Sequence, residues 1–134
     1  MEEVAPVQVL VVDDQAPFRL AARNVIRLTP GFELVGEAAT GEEGVAMAAA
    51  LHPDLVLMDI NMPGINGVEA TRQVLEAAPD IAVFLCSTYS LADLPPDAAL
   101  SGATAYVNKE AMGPKVLRRL WDERAEPREG LATA

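Results

Sequence analysis

The chain has 134 residues, 51% of them hydrophobic, and its 20 acidic against 10 basic side chains leave a net charge of −10. That length fits one domain with a core of its own, and the acidic surplus argues against nucleic acid or an anionic membrane surface as a direct partner. Cys86 is the single cysteine, which excludes a disulfide framework and a cysteine-based zinc site, while the acidic start Met1-Glu2-Glu3 and the lack of a long apolar run lead to the expectation of a cytoplasmic chain.

Val7 to Val12 (VQVLVV) is almost unbroken apolar sequence, the pattern of a strand covered on both faces of a parallel sheet. Asp13-Asp14-Gln15 ends it. Pro17 suits the first turn of a helix, which carries Leu20, Ala21, Val25 and Leu28 at helical spacing and stops at Pro30-Gly31. Phe32 to Ala38 reads as a second strand. Thr40 is the expected N-cap of a second helix, with Glu42 and Glu43 at its positive end. It runs to about Leu51, and Ala46, Ala49 and Ala50 are expected to let it pack closely. His52-Pro53 breaks the chain, and His52 reads as a surface or loop residue. Leu55 to Met58 (LVLM) is a third buried strand, ending at Asp59. After a loop from Asn61 to Gly67, a third helix spans Val68 to Ala78 and is closed by Pro79. Ile81 to Cys86 is a fourth strand and Thr104 to Val107 a short fifth. Pro114 to about Ala125 is a last helix with Val116, Leu117, Leu120 and Trp121 on one face.

Between strands four and five, Pro96 holds Pro95 out of the α region, and Gly102 is a natural stop. The fourth helix is therefore expected to be truncated and mobile, anchored by Ala98, Ala99 and Leu100. The alternation of strand and helix predicts an α/β domain, a parallel sheet with helices on both faces. Residues 1–125 make up that domain, and residues 126–134 are expected to be a flexible tail or the start of a linker.

Ligands of open α/β sheets bind beyond the carboxyl ends of the strands. There the sequence places Asp13 and Asp14 after strand one, Asp59 at the end of strand three, Ser87 and Thr88 at the end of strand four, and Asn108 and Lys109 after strand five. Three neighbouring carboxylates repel one another and push at least one pKa upward; one lysine does not neutralise them. Mg²⁺ relieves the repulsion and completes its octahedron with water and phosphoryl oxygens. Since a carboxylate can form an aspartyl phosphate, Asp59 is the candidate nucleophile. Lys109 is a point charge for one phosphoryl oxygen and Ser87 a donor to another. Arg outnumbers Lys eight to two in this chain, which singles Lys109 out. Cys86 and Trp121 read as packing residues.

In VLVVDD at 9–14, PDLVLMDINMPGINGVE at 53–69, Ser87, and YVNK at 106–109, the chain resembles the receiver domain of bacterial two-component response regulators, over about residues 7 to 125. The separations of 45 from Asp14 to Asp59, 28 to Ser87 and 22 to Lys109 also fit. DINMPGINGVE and Ser87-Thr88-Tyr89 are most similar to receivers attached to LuxR-type DNA-binding domains. The resemblance implies a doubly wound, flavodoxin-like sheet of five parallel strands in the order 2-1-3-4-5. It implies that Asp59 takes a phosphoryl group from a sensor histidine kinase in a Mg²⁺-dependent reaction, and that the domain then acts as a conformational switch rather than as an enzyme. Asp14 would contact the Mg²⁺ directly and Asp13 through water, with Asp59 and the main-chain carbonyl of Asn61 as further ligands. Ser87 and Lys109 would be the switch hydroxyl and lysine. Tyr106 would turn inward when the hydroxyl is drawn to the phosphoryl group, and Asn61 and Tyr89 would tune dephosphorylation. Implied partners are the kinase, a downstream protein or a DNA-binding output domain, and a second copy in a phosphorylation-linked homodimer.

Two alternatives stand beside this. One is a pseudo-receiver that binds partners without phosphorylation, kept open by the unusual Pro95-Pro96 region. The other is a phosphatase with an aspartyl intermediate, which Asp59-Ile60-Asn61 disfavours because the second acid of an Asp-x-Asp pattern is missing. Glu110 follows Lys109 where many receivers have proline, so no cis bond is imposed there.

Overall fold

Residues along each strand alternate between two apolar layers, and that alternation decides the architecture. A computed structural model describes residues 5–124 and 132–134. Its elements are β1 (Val7–Val12), α1 (Ala16–Arg27), β2 (Phe32–Ala38), α2 (Gly41–Leu51), β3 (Leu55–Asp59), α3 (Gly67–Ala77), β4 (Ala82–Ser87), β5 (Ala105–Asn108), α4 (Pro114–Glu123) and β6 (Ala132–Thr133). Every strand pair is parallel, in the order β2-β1-β3-β4-β5-β6. Val9 and Val11 of β1 join Ala22 and Ile26 of α1 and Leu117 and Leu120 of α4 in one layer. Leu10 and Val12 join Ala48 of α2 and Val68, Ala70 and Val74 of α3 in the other. β3 and β4 are buried along their whole length, as expected for central strands covered on both sides. Cys86 lies in β4 with no exposed surface, and burial raises its thiol pKa.

Several local expectations change in detail. In α1 the buried positions are Ala22 and Ile26, with Phe18 and Val25 packed beside them. Ala21 is exposed, and so are Leu20 and Leu28; the helix is rotated so that the 18-22-25-26 stripe, not 20-21-25-28, meets the sheet. In α2 the close approach is made by Gly44 and Ala48, while Ala46, Ala49 and Ala50 face outward. A Cβ on Gly44 would come within 2.8 Å of the Val12 methyls. Thr40 does cap α2, its side chain accepting the Glu43 N–H at 3.0 Å. His52 closes that helix in a left-handed conformation (φ 48°) and pairs with Asp80 on the surface.

The fourth helix is truncated as expected, running from Pro96 to Leu100, but it is not α-helical. Leu91–Asp93 and Pro96–Leu100 are 3-10 turns, and Pro95 is extended ahead of Pro96 (φ −55°, ψ 139°). Ala98 alone of the three proposed anchors is buried; Ala99 and Leu100 face solvent. The five strands lie in the expected order 2-1-3-4-5, and among the described residues a sixth, Ala132–Thr133, adds to the edge at β5. The expectation of a free tail over 126–134 therefore fails at its end. Its remainder, with the Ala125 helix end and Met1-Glu2-Glu3, lies outside the described residues.

Candidate functional site

The parallel ladders deliver the polar strand ends to one edge of the sheet. The Asp13 N–H donates to the Ala38 carbonyl at 3.0 Å, so Asp13 is still held by the ladder when the chain turns away. Asp59 is the last residue of β3, in register with Cys86. Ser87 and Asn108 end the next two strands as partners. Lys109 follows in a 3-10 turn in which the Glu110 amide donates to the Asn108 side chain at 2.9 Å.

Asp13, Asp14 and Asp59 each bring a carboxylate oxygen within 4.8 Å of the others. Asp13 and Asp59 are buried and Asp14 is exposed, as befits a pocket open on one side. Lys109 Nζ stands 2.7 Å from Asp13 Oδ2 and 3.3 Å from Asp59 Oδ1. Burial, and then the Asp13 charge, push the Asp59 pKa from 3.8 to about 6, although Lys109 pulls the other way. Burial works against the Lys109 charge as well, but its contact with Asp13 and the charges of Asp59 and Asp13 outweigh that and raise its pKa.

Asp13 Oδ1 accepts the Gln15 N–H at 2.8 Å. Its buried Oδ2 is held by the Lys109 ammonium at 2.7 Å. Three converging carboxylates, two of them buried, faced by one lysine and with the Asp59 pKa raised, are the donor set that a hard divalent cation satisfies. The residues thus fit Mg²⁺. Asn61 lies two residues beyond Asp59 and is exposed.

Ser87 is buried, and its Oγ accepts the Tyr89 N–H at 3.1 Å. Tyr106 points inward, only 2% exposed. Its hydroxyl donates to the Ser87 carbonyl at 3.2 Å and also to the Tyr89 carbonyl. Asn108 Nδ2 donates to that Tyr89 carbonyl at 3.2 Å. Burial raises the Tyr106 pKa, so the phenol stays a donor.

Three contributors escaped the sequence reading. Phe18 places its ring centroid 4.5 Å from Lys109 Nζ, so that an aromatic face backs the ammonium. Arg19 Nη1 donates to the Asp13 carbonyl at 2.7 Å and pairs with Glu37 at 3.6 Å. Gly67 starts α3 so close to β3 that a Cβ would sit 1.9 Å from the Asp59 carbonyl oxygen. The local signal for the first two was their position one turn into the helix that follows Asp13-Asp14. Gly67 had only its place at the end of a Gly-rich loop.

The family model for the response regulator receiver domain matches residues 9–120. The response regulator GacA of Pseudomonas viridiflava is 40% identical over 105 residues, covering 78% of this chain and 49% of the relative. A two-component response regulator of the LuxR family from Aurantimonas sp. SI85-9A1 superposes with a TM-score of 0.74 at 26% identity, covering 91% of this chain and 100% of that one. The CheX-CheY-BeF3-Mg²⁺ complex from Borrelia burgdorferi gives 0.75 at 29% identity, with coverages of 88% and 89%. The chain belongs to the receiver domain family of two-component response regulators. It spans about half the length of the curated relatives it matches.

Proposed function

We propose that this chain is a phosphoacceptor switch in which Asp59 takes a phosphoryl group from a phosphohistidine of a sensor kinase. One Asp59 oxygen forms the P–O bond as the P–N bond of the donor breaks, and the imidazole leaves with the bonding pair and is then protonated. The observation that carries this is the burial of Asp59 among Asp13 and Asp14, with Lys109 Nζ 3.3 Å away. Asp13, Asp14 and Asp59 would hold Mg²⁺, with the Asn61 carbonyl beside them. Bound there, the ion supplies screening of one anion approaching another. Lys109 neutralises a phosphoryl oxygen, and Ser87 Oγ, which accepts from Tyr89, still has its own proton to donate. The BeF3 and Mg²⁺ in the similar CheX-CheY complex support this assignment.

Residues 1–125 form the phosphoacceptor domain, Tyr106 transmits the state of Ser87, and Asn61 and Tyr89 tune dephosphorylation. A histidine kinase and a downstream protein or DNA-binding output domain are the partners, in a cytoplasmic setting. No helix among the described residues is long and apolar enough to cross a membrane.

Beryllofluoride with Mg²⁺ tests the assignment. Wild-type protein should change its spectrum and Asp59→Asn should not; equal responses would remove Asp59 from the role. Mg²⁺ alone, at tenfold above its Kd, should stabilise the fold by about 1.4 kcal/mol, read as a rise in Tm. Asp14→Ala should abolish that rise, and its persistence would place the ion elsewhere.

A further inference from the structure

β5 has four residues and would be the last strand of the sheet, with a row of unpaired N–H and C=O groups on its outer side. The segment 132–134 occupies that row. Ala132 N–H donates to the Thr104 carbonyl at 3.2 Å and Ala134 N–H to the Tyr106 carbonyl at 3.0 Å, while Asn108 N–H donates to the Ala134 carbonyl at 2.8 Å. The side of the strand is anchored too. Ala132 is only 4% exposed, packed in the layer that holds Leu117 and Leu120, and Arg119 Nη2 donates to the Thr133 carbonyl at 3.2 Å.

The two β5 residues whose backbones receive Ala134 are those whose side chains reach the phosphoacceptor edge. Tyr106 Oη and Asn108 Nδ2 converge on the Tyr89 carbonyl, and the Tyr89 N–H is bonded to Ser87 Oγ. Backbone and side chain of the same residues therefore join β6 to the group that would meet a phosphoryl oxygen.

We propose that the outer edge of β5 is a strand-docking surface for residues 132–134 of this chain, coupled to the Asp59 site through Tyr106 and Asn108. The coupling part rests on the receiver function proposed above. Its sign follows from that function: β6 is bonded to the backbone of the inward Tyr106, and the inward ring is the state that accompanies a Ser87 drawn to the phosphoryl group, so docking and that ligand favour the same state. A ligand that draws Ser87 toward Asp59 strengthens docking, and by reciprocity docking strengthens that ligand's binding by the same factor.

The experiment uses the full chain, with amide hydrogen exchange at Ala132 and Ala134 and beryllofluoride affinity in the presence of Mg²⁺ as readouts. Beryllofluoride should slow exchange at Ala134 about fivefold, and Ala134→Pro, which lacks the N–H bonded to Tyr106, should weaken beryllofluoride binding about fivefold. Arg119→Ala should shift both readouts the same way, by less. Equal affinity in wild type and Ala134→Pro overturns the coupling. Protection at Ala134 that grows with protein concentration overturns docking within one chain and assigns the strand to a second copy. If wild-type protein binds no beryllofluoride, the receiver function fails instead, and docking is judged on ligand-free protein. There Ala134→Pro must shift the Ser87 and Tyr89 amide resonances, and unmoved resonances overturn the proposal.

Discussion

Asp59 carries a cost that titration can read. Its pKa is 3.8 in an ordinary setting and about 6 in the folded protein, so the unfolded chain releases this proton first. Between about pH 4 and 6 the folded state binds more protons, and stability must fall as pH rises. The stabilising contribution is complete below that window and absent above it. Its size is on the order of 2 kcal/mol, allowing for the open side of the pocket. In metal-free urea titrations, Asp59→Asn should match wild type near pH 4 and exceed it at pH 7; a constant gap across the range would contradict the assignment. Phe18 has a separate role. With its ring 4.5 Å from the Lys109 ammonium, it contributes about 1 kcal/mol through its quadrupole and by shielding the ion pair from water. Phe18→Leu keeps most of the packing and should lose that amount in chemical denaturation, and Phe18→Trp should recover it. A Leu variant as stable as wild type would reduce the ring to plain packing.

At the scale of elements, the stretch between β4 and β5 differs from the rest. Its two 3-10 turns put Ala98 into the core while Leu100 stays 85% exposed. Few apolar contacts and solvent-facing amides give low local stability. Amides at 92–94 and 97–100 should exchange with opening free energies near zero, whereas those of β4 should open only with global unfolding. Leu100→Ser should change stability by less than about 0.5 kcal/mol, measured by denaturation. Slow exchange across this stretch would mean that it is held by more than Ala98 and the half-buried Leu94. Pro95-Pro96 made the truncation of the fourth helix readable, since two adjacent prolines restrict the backbone locally. The 3-10 geometry and the outward turn of Ala99 depend on how the loop meets α3, where Gly102 (φ 93°) lies against Leu75. No local pattern encodes that.

For the molecule as a whole, the parts that were legible are those set by short-range chemistry. VQVLVV and LVLM can be satisfied only between two helical layers, and the strand-end rule then gathers Asp13, Asp59, Ser87 and Lys109 without further information. The parts that were not legible arise from long-range meetings. Ala132-Thr133 has no strand signature of its own; an open β5 edge decides its conformation. The rotation of α1 brings Phe18 onto Lys109 across 91 positions of chain, and Leu20 and Leu28 looked equally suitable for burial. Cys86 gives the central packing a practical consequence. Its sulfur is sealed within β4, with neighbouring strands on both sides and an apolar layer over it, so a maleimide cannot reach it until the sheet comes apart. The lone thiol is thus a built-in clock for whole-domain opening. Under native conditions its alkylation should slow in step with every ligand that stabilises the fold, and labelling as fast as that of a free thiol would mean that β4 opens on its own.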